Sequence, residues 1–388
     1  MSTNIFSAID AAQIHYSFHT ATLTARLSEI EFKFIKEQLC TAKENIIMKY
    51  YLKHISYSKI YNFFTSPTYG SFLIKMIRCS KNEFVYREIV IRINPRAMLH
   101  KNDYPYVYIA SQKDIKKCIK IMERFFQDAK INHWISLDIL RISRIDLAAN
   151  INLGDNESVR QYMKLLRQGN YPYSMKRVCI YSKIQKREIP TPNSFTIKSK
   201  TYEFSIYDKQ RQLTDNKKEY SDKEITEAEG IIRIEFRISS SSLIHNIAKK
   251  KFKHEKTADI LLNADVMAEF YITRYIEKCY GTGAFVKKAE AEKIINSSNY
   301  KAKIKQEMNA MLNCCMQTRN LSKVRLIFKE RFEPLLKRFN NLGISPVTIN
   351  SRNNYNRFEN PLYYMTECNA NTHKYAPSIT EVLCMQKW

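Results

Sequence analysis

Three short stretches alternate apolar and polar residues with a period of two, and together they dictate a sheet with one charged face. Successive side chains of a strand point to opposite sides. In RIDLAANI, residues 144–151, Ile145, Leu147, Ala149 and Ile151 share one side, while Arg144, Asp146 and Asn150 share the other. In IIRIEFRI, residues 231–238, Ile232, Ile234, Phe236 and Ile238 oppose Arg233, Glu235 and Arg237. In YEFSIYDK, residues 202–209, Tyr202, Phe204 and Ile206 oppose Glu203, Ser205, Tyr207 and Lys209. A solvated outer face of an antiparallel sheet also alternates. Here each strand brings a carboxylate flanked by cations, and one brings a phenol.

The rest of the chain supplies the partners such strands need. IHYSFHTATL reads as a strand and TARLSEIEFKFIKEQL as a helix. NFFTSPTYGSFLIKMIRC and EFVYREIVIRINP then read as strands around turns. SQKDIKKCIKIMERFFQDAK is a helix capped by Ser111, with Ile115, Cys118, Ile119, Met122 and Phe126 as its apolar stripe. The order then recurs: strand ILRISRIDLAANINL, helix NESVRQYMKLLRQG, strands VCIYSKI, NSFTIKSK, TYEFSIYDK and GIIRIEFRI, helix SSSLIHNIAKKKF. Two βαββα-like half-units predict an α+β fold: a mainly antiparallel sheet with helices on one face. VIRINPR and IIRIEFRI stand at equivalent places in the two halves. Residues 1–255 form this α+β domain in this reading, and 256–388 a mainly helical, basic region. Gly343 with Pro346 marks a helix stop, Pro334 kinks or opens a helix, and the Asn-rich tail from about 350 reads as loop.

Sixty-three Lys and Arg against 38 Asp and Glu leave a net charge of +25, spread along the chain rather than gathered in a tail. Such a field attracts polyanions, nucleic acid first among them. The nine cysteines show no CxxC or Cys/His zinc spacing, which points to free, mostly buried thiols in a reducing compartment. The N-terminal stretch lacks a signal region and no apolar run reaches membrane-spanning length, so the expectation is a cytoplasmic protein with no membrane partner.

Brought together, Asp146 and Glu235 offer hard oxygen ligands for a divalent cation. Arg144, Arg233, Arg237 and Lys209 offer charge for phosphates. A phenol is a poor nucleophile at neutral pH unless a metal or base assists it. Attack on a phosphodiester suits it best, because the phosphotyrosine formed keeps the bond energy for rejoining. His15 and His19, four apart in a strand, read as structural or solvent-facing, and His133 beside Trp134 as packing. No two histidines are separated by a single residue, so carboxylates must carry any metal.

RIDLAANI, followed by FSIYDKQ and GIIRIEFRI, resembles the replication initiators of rolling-circle plasmids (Rep-trans type) and the related relaxases of conjugative elements. NPRAML and LGISPVTI look like further segments of such proteins. The resemblance covers roughly residues 80–240. It implies a metal-dependent, site-specific nick in one DNA strand, a 5′-phosphotyrosine link and a free 3′-OH. Tyr207 becomes the nucleophile, with Tyr202 as the alternative and Tyr181 on a nearby strand. Lys209 becomes its catalytic neighbour, Asp146 and Glu235 ligands of Mg2+ or Mn2+, and Arg144, Arg233 and Arg237 phosphate-binding residues. The implied partners are origin or transfer-origin DNA, a host helicase and polymerase (no GxxxxGK[ST] occurs), and a second copy of the chain. TPNSFTIKSKTYEF lacks the Gly-containing turn common in this family, which leaves the hairpin register open. Two other readings stand beside the enzyme: a non-catalytic, basic nucleic-acid-binding protein, and a structural protein whose charge is compositional.

Overall fold

The computed structural model describes residues 16–70, 72–81, 84–99, 108–182, 187–191, 193–215 and 220–367. The first half runs β1 (Ser17–Arg26), α1 (Glu29–Thr41), β2 (Ile47–Ile55), β3 (Ser58–Thr65), β4 (Leu73–Lys81), β5 (Phe84–Ile93), α2 (Pro95–Met98) and α3 (Gln112–Asp128). The second half runs β6 (Arg141–Asn152), α4 (Asn156–Leu166), β7 (Lys176–Arg177), β8 (Cys179–Ser182), β9 (Arg187–Pro190), β10 (Ser194–Lys198), β11 (Tyr202–Asp208), α5 (Lys209–Asp215), α6 (Asp222–Thr226), β12 (Ile231–Ile238) and α7 (Ser241–Ile247). Ten strands form one antiparallel sheet in the order β2-β3-β4-β5-β1-β6-β12-β11-β10-β7. The expected α+β architecture is therefore present, with β1 and β6 paired at its centre. β5 flanks β1 as β12 flanks β6, so VIRINPR and IIRIEFRI do occupy equivalent places. The half-units carry more strands than the βαββα reading allows. β2, which the sequence reading passed over, is nearly all exposed and so lacks the alternating burial that marks a strand.

Alternation sets which side is core. Ile145, Leu147, Ala149, Ile232, Ile234, Phe236, Phe204 and Ile206 are all fully buried. Helices cover them: α7 lies on β6, and α4 reaches β10, β11 and β12. The helix α9 (Ala264–Tyr280), which follows α8 (Thr257–Leu262), lies on β1, β6 and β12, so the helical layer continues past residue 255. Tyr271 of α9 stacks on Phe236 with centroids 4.8 Å apart and planes within 5°. Ser111 closes a capping box with Asp114 at the start of α3, and the stripe expected there is buried. Farther along come α10 (Lys288–Ser297), α11 (Ala302–Thr318), α12 (Leu321–Phe328) and α13 (Phe332–Asn341). Pro334 opens α13 instead of kinking a longer helix, and Gly343 follows its end at φ +70°. The tail is not all loop, since α14 spans Pro361–Glu367. All seven described cysteines are free thiols, but only Cys118, Cys279 and Cys315 are buried. No described helix is long and apolar enough to cross a membrane.

Two irregularities interrupt the pairing of the central strands. Phe18 pairs with Leu147 and Thr20 with Asp146, so β1 holds one extra residue, His19, at a β-bulge. Beyond it the buried set changes parity, from Tyr16 and Phe18 to Ala21, Leu23 and Ala25. On β6 a second shift, at Ser143, brings Ile142 opposite Leu23.

Candidate functional site

The charged side of β6, β12 and β11 forms the floor of a pocket of about 260 Å3. Register makes the convergence. Arg237 lies opposite both Asp146 and Glu203, and Tyr207 opposite Arg233. Without a glycine, Ser199 closes the hairpin before β11 by accepting the Tyr202 backbone N–H at 3.1 Å, and Ser194 then pairs with Tyr207. Asp208 ends the strand: its carboxylate accepts the Arg211 backbone N–H at 2.9 Å and caps α5. The chain thereby turns Lys209 back over the pocket, so α5 lies on the charged side, an exception to the one-sided helical layer.

The Tyr207 hydroxyl donates to Glu235 Oε1 at 2.7 Å. Burial above all, and then Glu235, holds this phenol well above its usual range. Asp146 is buried and fully engaged. Arg144 grips it with two bonds of 2.9 and 2.6 Å, and Arg237 Nε adds a third at 2.9 Å. Hydrogen bonding to Asp146 raises Arg144 above the ordinary arginine value. Arg237 also donates to Glu203 at 2.8 Å. Lys209 is 4% exposed, donates to Gln212 at 2.8 Å and sits 5.9 Å from the Tyr207 ring centre. Burial, reinforced by Arg233, lowers it to about 7.

Pocket-facing Tyr207, Lys209, Asp146, Glu235, Arg144 and Arg237 thus stand together as the sequence reading expects. Arg233 does not open onto the pocket. It is fully buried beneath, its Nε on Asn150 at 2.8 Å, and acts on its neighbours through its field. Tyr202 is on the opposite side of the sheet, packed on Phe236 and Tyr271. Tyr181 is on the separate β8–β9 ribbon. His133 is exposed rather than packed, and His15 lies outside the described residues.

Sequence reasoning missed His19, Thr20, Arg92 and Arg96, all of which line the pocket. His19 reaches it through the bulge, whose parity change from Phe18 to Ala21 was the available signal. Burial, helped by Arg233 and Lys209, lowers its imidazole to about 3, so it is neutral at pH 7. Arg92 follows the same alternation in VIRINPR that marks Arg233 in IIRIEFRI.

As arranged, these donors do not make a preformed cation site. A hard divalent ion needs about six oxygens. Both Asp146 oxygens hold arginines, Glu235 takes the phenol, and among the described residues no three His, Cys, Asp or Glu could hold a metal together. What the pocket does present is a hydroxyl paired with a carboxylate inside a ring of cations, an arrangement suited to a phosphodiester.

No family model matches the chain, and no curated protein is found similar. Among solved structures it is similar to a rolling circle replication initiator protein from Geobacillus stearothermophilus. That match has a TM-score of 0.33 and 10% identity, over 67% of this chain and 85% of the other. At that score the likeness carries no functional argument.

Proposed function

We propose that the chain binds a single DNA strand on the charged side of its sheet and cleaves it by transesterification at Tyr207. The observation that carries this reading is the 2.7 Å hydrogen bond from the Tyr207 hydroxyl to Glu235 inside a cation-lined pocket. A nucleophile within reach of its base, with the phosphate clamped by cations, is what such chemistry requires. Tyr207 Oη attacks phosphorus and its proton passes to Glu235. The P–O3′ bond breaks, and Lys209 gives its proton to the departing oxygen. The products are a 5′-phosphotyrosine and a free 3′-OH, and reversal rejoins the strand. Lys209, lowered to about 7, is suited to proton transfer near neutral pH. Asp146 holds Arg144 and Arg237 in place for the phosphate. Were Mg2+ or Mn2+ to bind, Asp146 and Glu235 would be the residues to hold it, and it would supply charge stabilisation at the phosphate.

The resemblance of RIDLAANI, FSIYDKQ and GIIRIEFRI supports assigning the cut to initiation of rolling-circle replication, with conjugative transfer as the alternative use. One observation favours a second reading, a binding module without chemistry: the half-buried phenol is held well above its usual range by desolvation and by Glu235. Supercoiled DNA incubated with the protein, with EDTA or with Mn2+ or Mg2+, and run on a denaturing gel separates the two. Relaxed circles carrying covalent protein, lost in Tyr207→Phe and kept in Tyr202→Phe, support the enzyme. Reversible, salt-sensitive retardation alone supports the binder.

A further inference from the structure

The sheet does not stop at the pocket. Strand pairing aligns residues of β6, β1, β5, β4, β3 and β2 into rows that cross the strands on the pocket's own side. One row reads Arg144, Thr22, Arg92, Leu73, Phe64, Lys49. The next reads Thr24, Val90, Lys75, Asn62, Tyr51, and the third Arg26, Glu88, Ile77, Ile60, Lys53. The alternate residues, Phe63, Ile74, Met76, Ile89 and Ile91, are fully buried on the other side. Those in the rows are half-buried or exposed, apart from Asn62. These rows therefore combine apolar and aromatic surface with Lys49, Lys53, Lys75, Arg92 and Arg26, against the single acid Glu88.

We infer that this face is a track for single-stranded nucleic acid leading from the pocket to the β2–β3 edge; the inference rests on the proposed reading of the pocket. Three observations choose this occupant. On this side the segment 47–81 brings Lys49, Lys53 and Lys75 and no Asp or Glu, which complements a polyanion. Tyr51 stacks on Phe64, 5.9 Å between centres and 26° between planes, and is 44% exposed, giving a flat platform on which a base can stack. A second copy added edge-to-edge at β2 would gather the Lys49 and Lys53 of both copies along one seam, and edge lysines disfavour such pairing. Five interstrand steps of about 4.8 Å span roughly 24 Å. That is room for about seven stacked nucleotides at 3.4 Å each.

The test measures oligonucleotide binding by fluorescence anisotropy as a function of salt, in the Tyr207→Phe background so that cleavage plays no part. Dodecathymidylate and a 12-base-pair duplex serve as probes. Lys49→Gln/Lys53→Gln removes two exposed track cations. Lys116→Gln/Lys120→Gln removes the same charge from the exposed side of α3, away from the face. Each phosphate contact to a single strand contributes about 0.7 to the slope of log K against log salt. The track variant should therefore lose about 1.4 from that slope and roughly tenfold in single-strand affinity, with the control near the parent and the duplex little changed. Tyr51→Ala should weaken single-strand binding severalfold at unchanged salt slope. Equal losses in track and control variants, or an undiminished slope, overturn the track. So does a loss confined to the duplex, which would make the edge a duplex-binding arm. Absence of a covalent adduct with the parent protein, alongside the expected binding losses, removes the cleavage proposal and leaves the track standing.

Discussion

Replacing Asp146 with Asn separates two roles for that carboxylate. As an arginine anchor it accepts three charged hydrogen bonds, two from Arg144 and one from Arg237. Asparagine keeps one acceptor oxygen and turns an amide N–H2 toward a guanidinium, so at least one bond is lost and a donor faces a donor. A hydrogen bond between charged groups is worth about 1.5–3 kcal/mol. Breaking a buried pair costs about 3–5 kcal/mol, because the partner charge stays behind. Both arginine side chains are about a third exposed, 36% and 29%, so water recovers part of that cost. We expect a loss of about 2–3 kcal/mol. At about 2 °C per kcal/mol for a chain of this size, that is a fall of about 4–6 °C in thermal midpoint. Circular dichroism melts in EDTA and in millimolar Mg2+ or Mn2+ measure it. The expected fall is present in EDTA, and the double variant with Arg144→Ala falls less than the sum of the singles. Asp146→Asn melting with the parent in EDTA, and losing only a metal-induced rise, would refute the anchor and make Asp146 a cation ligand.

Further outcomes rest on the same geometry. In the proposed reaction Lys209 must be protonated to serve the departing oxygen, so the expected kcat/KM for nicking falls as pH rises through about 7, and Lys209→Met should remove that limb along with most of the rate. Because its folded value lies below the ordinary 10.5, the unfolded chain binds the extra proton between about 7 and 10.5. Parent stability then rises with pH across that window relative to Lys209→Met, as paired thermal melts should report. Tyr202→Phe changes stability by less than about 1.5 kcal/mol, whereas Tyr202→Ala, which empties its stack on Phe236 and Tyr271, costs about 3 kcal/mol in denaturant unfolding. Gly230→Ala is more damaging than Gly154→Ala, although both glycines have φ near +80°. A Cβ at Gly230 would lie 2.8 Å from the Gly154 carbonyl carbon, while one at Gly154 meets nothing within 4 Å.

The floor of the pocket was legible because a strand's period of two survives in any setting where one side is buried. RIDLAANI, YEFSIYDK and IIRIEFRI each declare which residues face together, and pairing then places Arg237 beside Asp146 and Tyr207 beside Arg233. What alternation does not encode is depth. Arg233 obeys the pattern yet is sealed under its neighbours, and Lys209 reaches the pocket from a helix rather than from the strand. The walls were less legible for a different reason. His19 depends on a bulge, and Arg96 on the short helix α2 after β5. β2 carries Met48, Tyr50 and Leu52 on one side and Lys49, Tyr51 and Lys53 on the other, both open to solvent, so no buried side fixed its pattern. Nothing local to those segments distinguishes them from loops; their pairing partners do.

The extra residue in β1 has an unusual relation to folding. Remove His19 and Phe18 passes directly to Thr20, leaving a strand whose inward and outward positions alternate without interruption from Tyr16 to Ala25. The ladder to β6 would zip at least as well one residue shorter. The extra residue instead sets the imidazole of His19 against the pocket, so an irregularity in the central ladder shapes the pocket wall rather than the core.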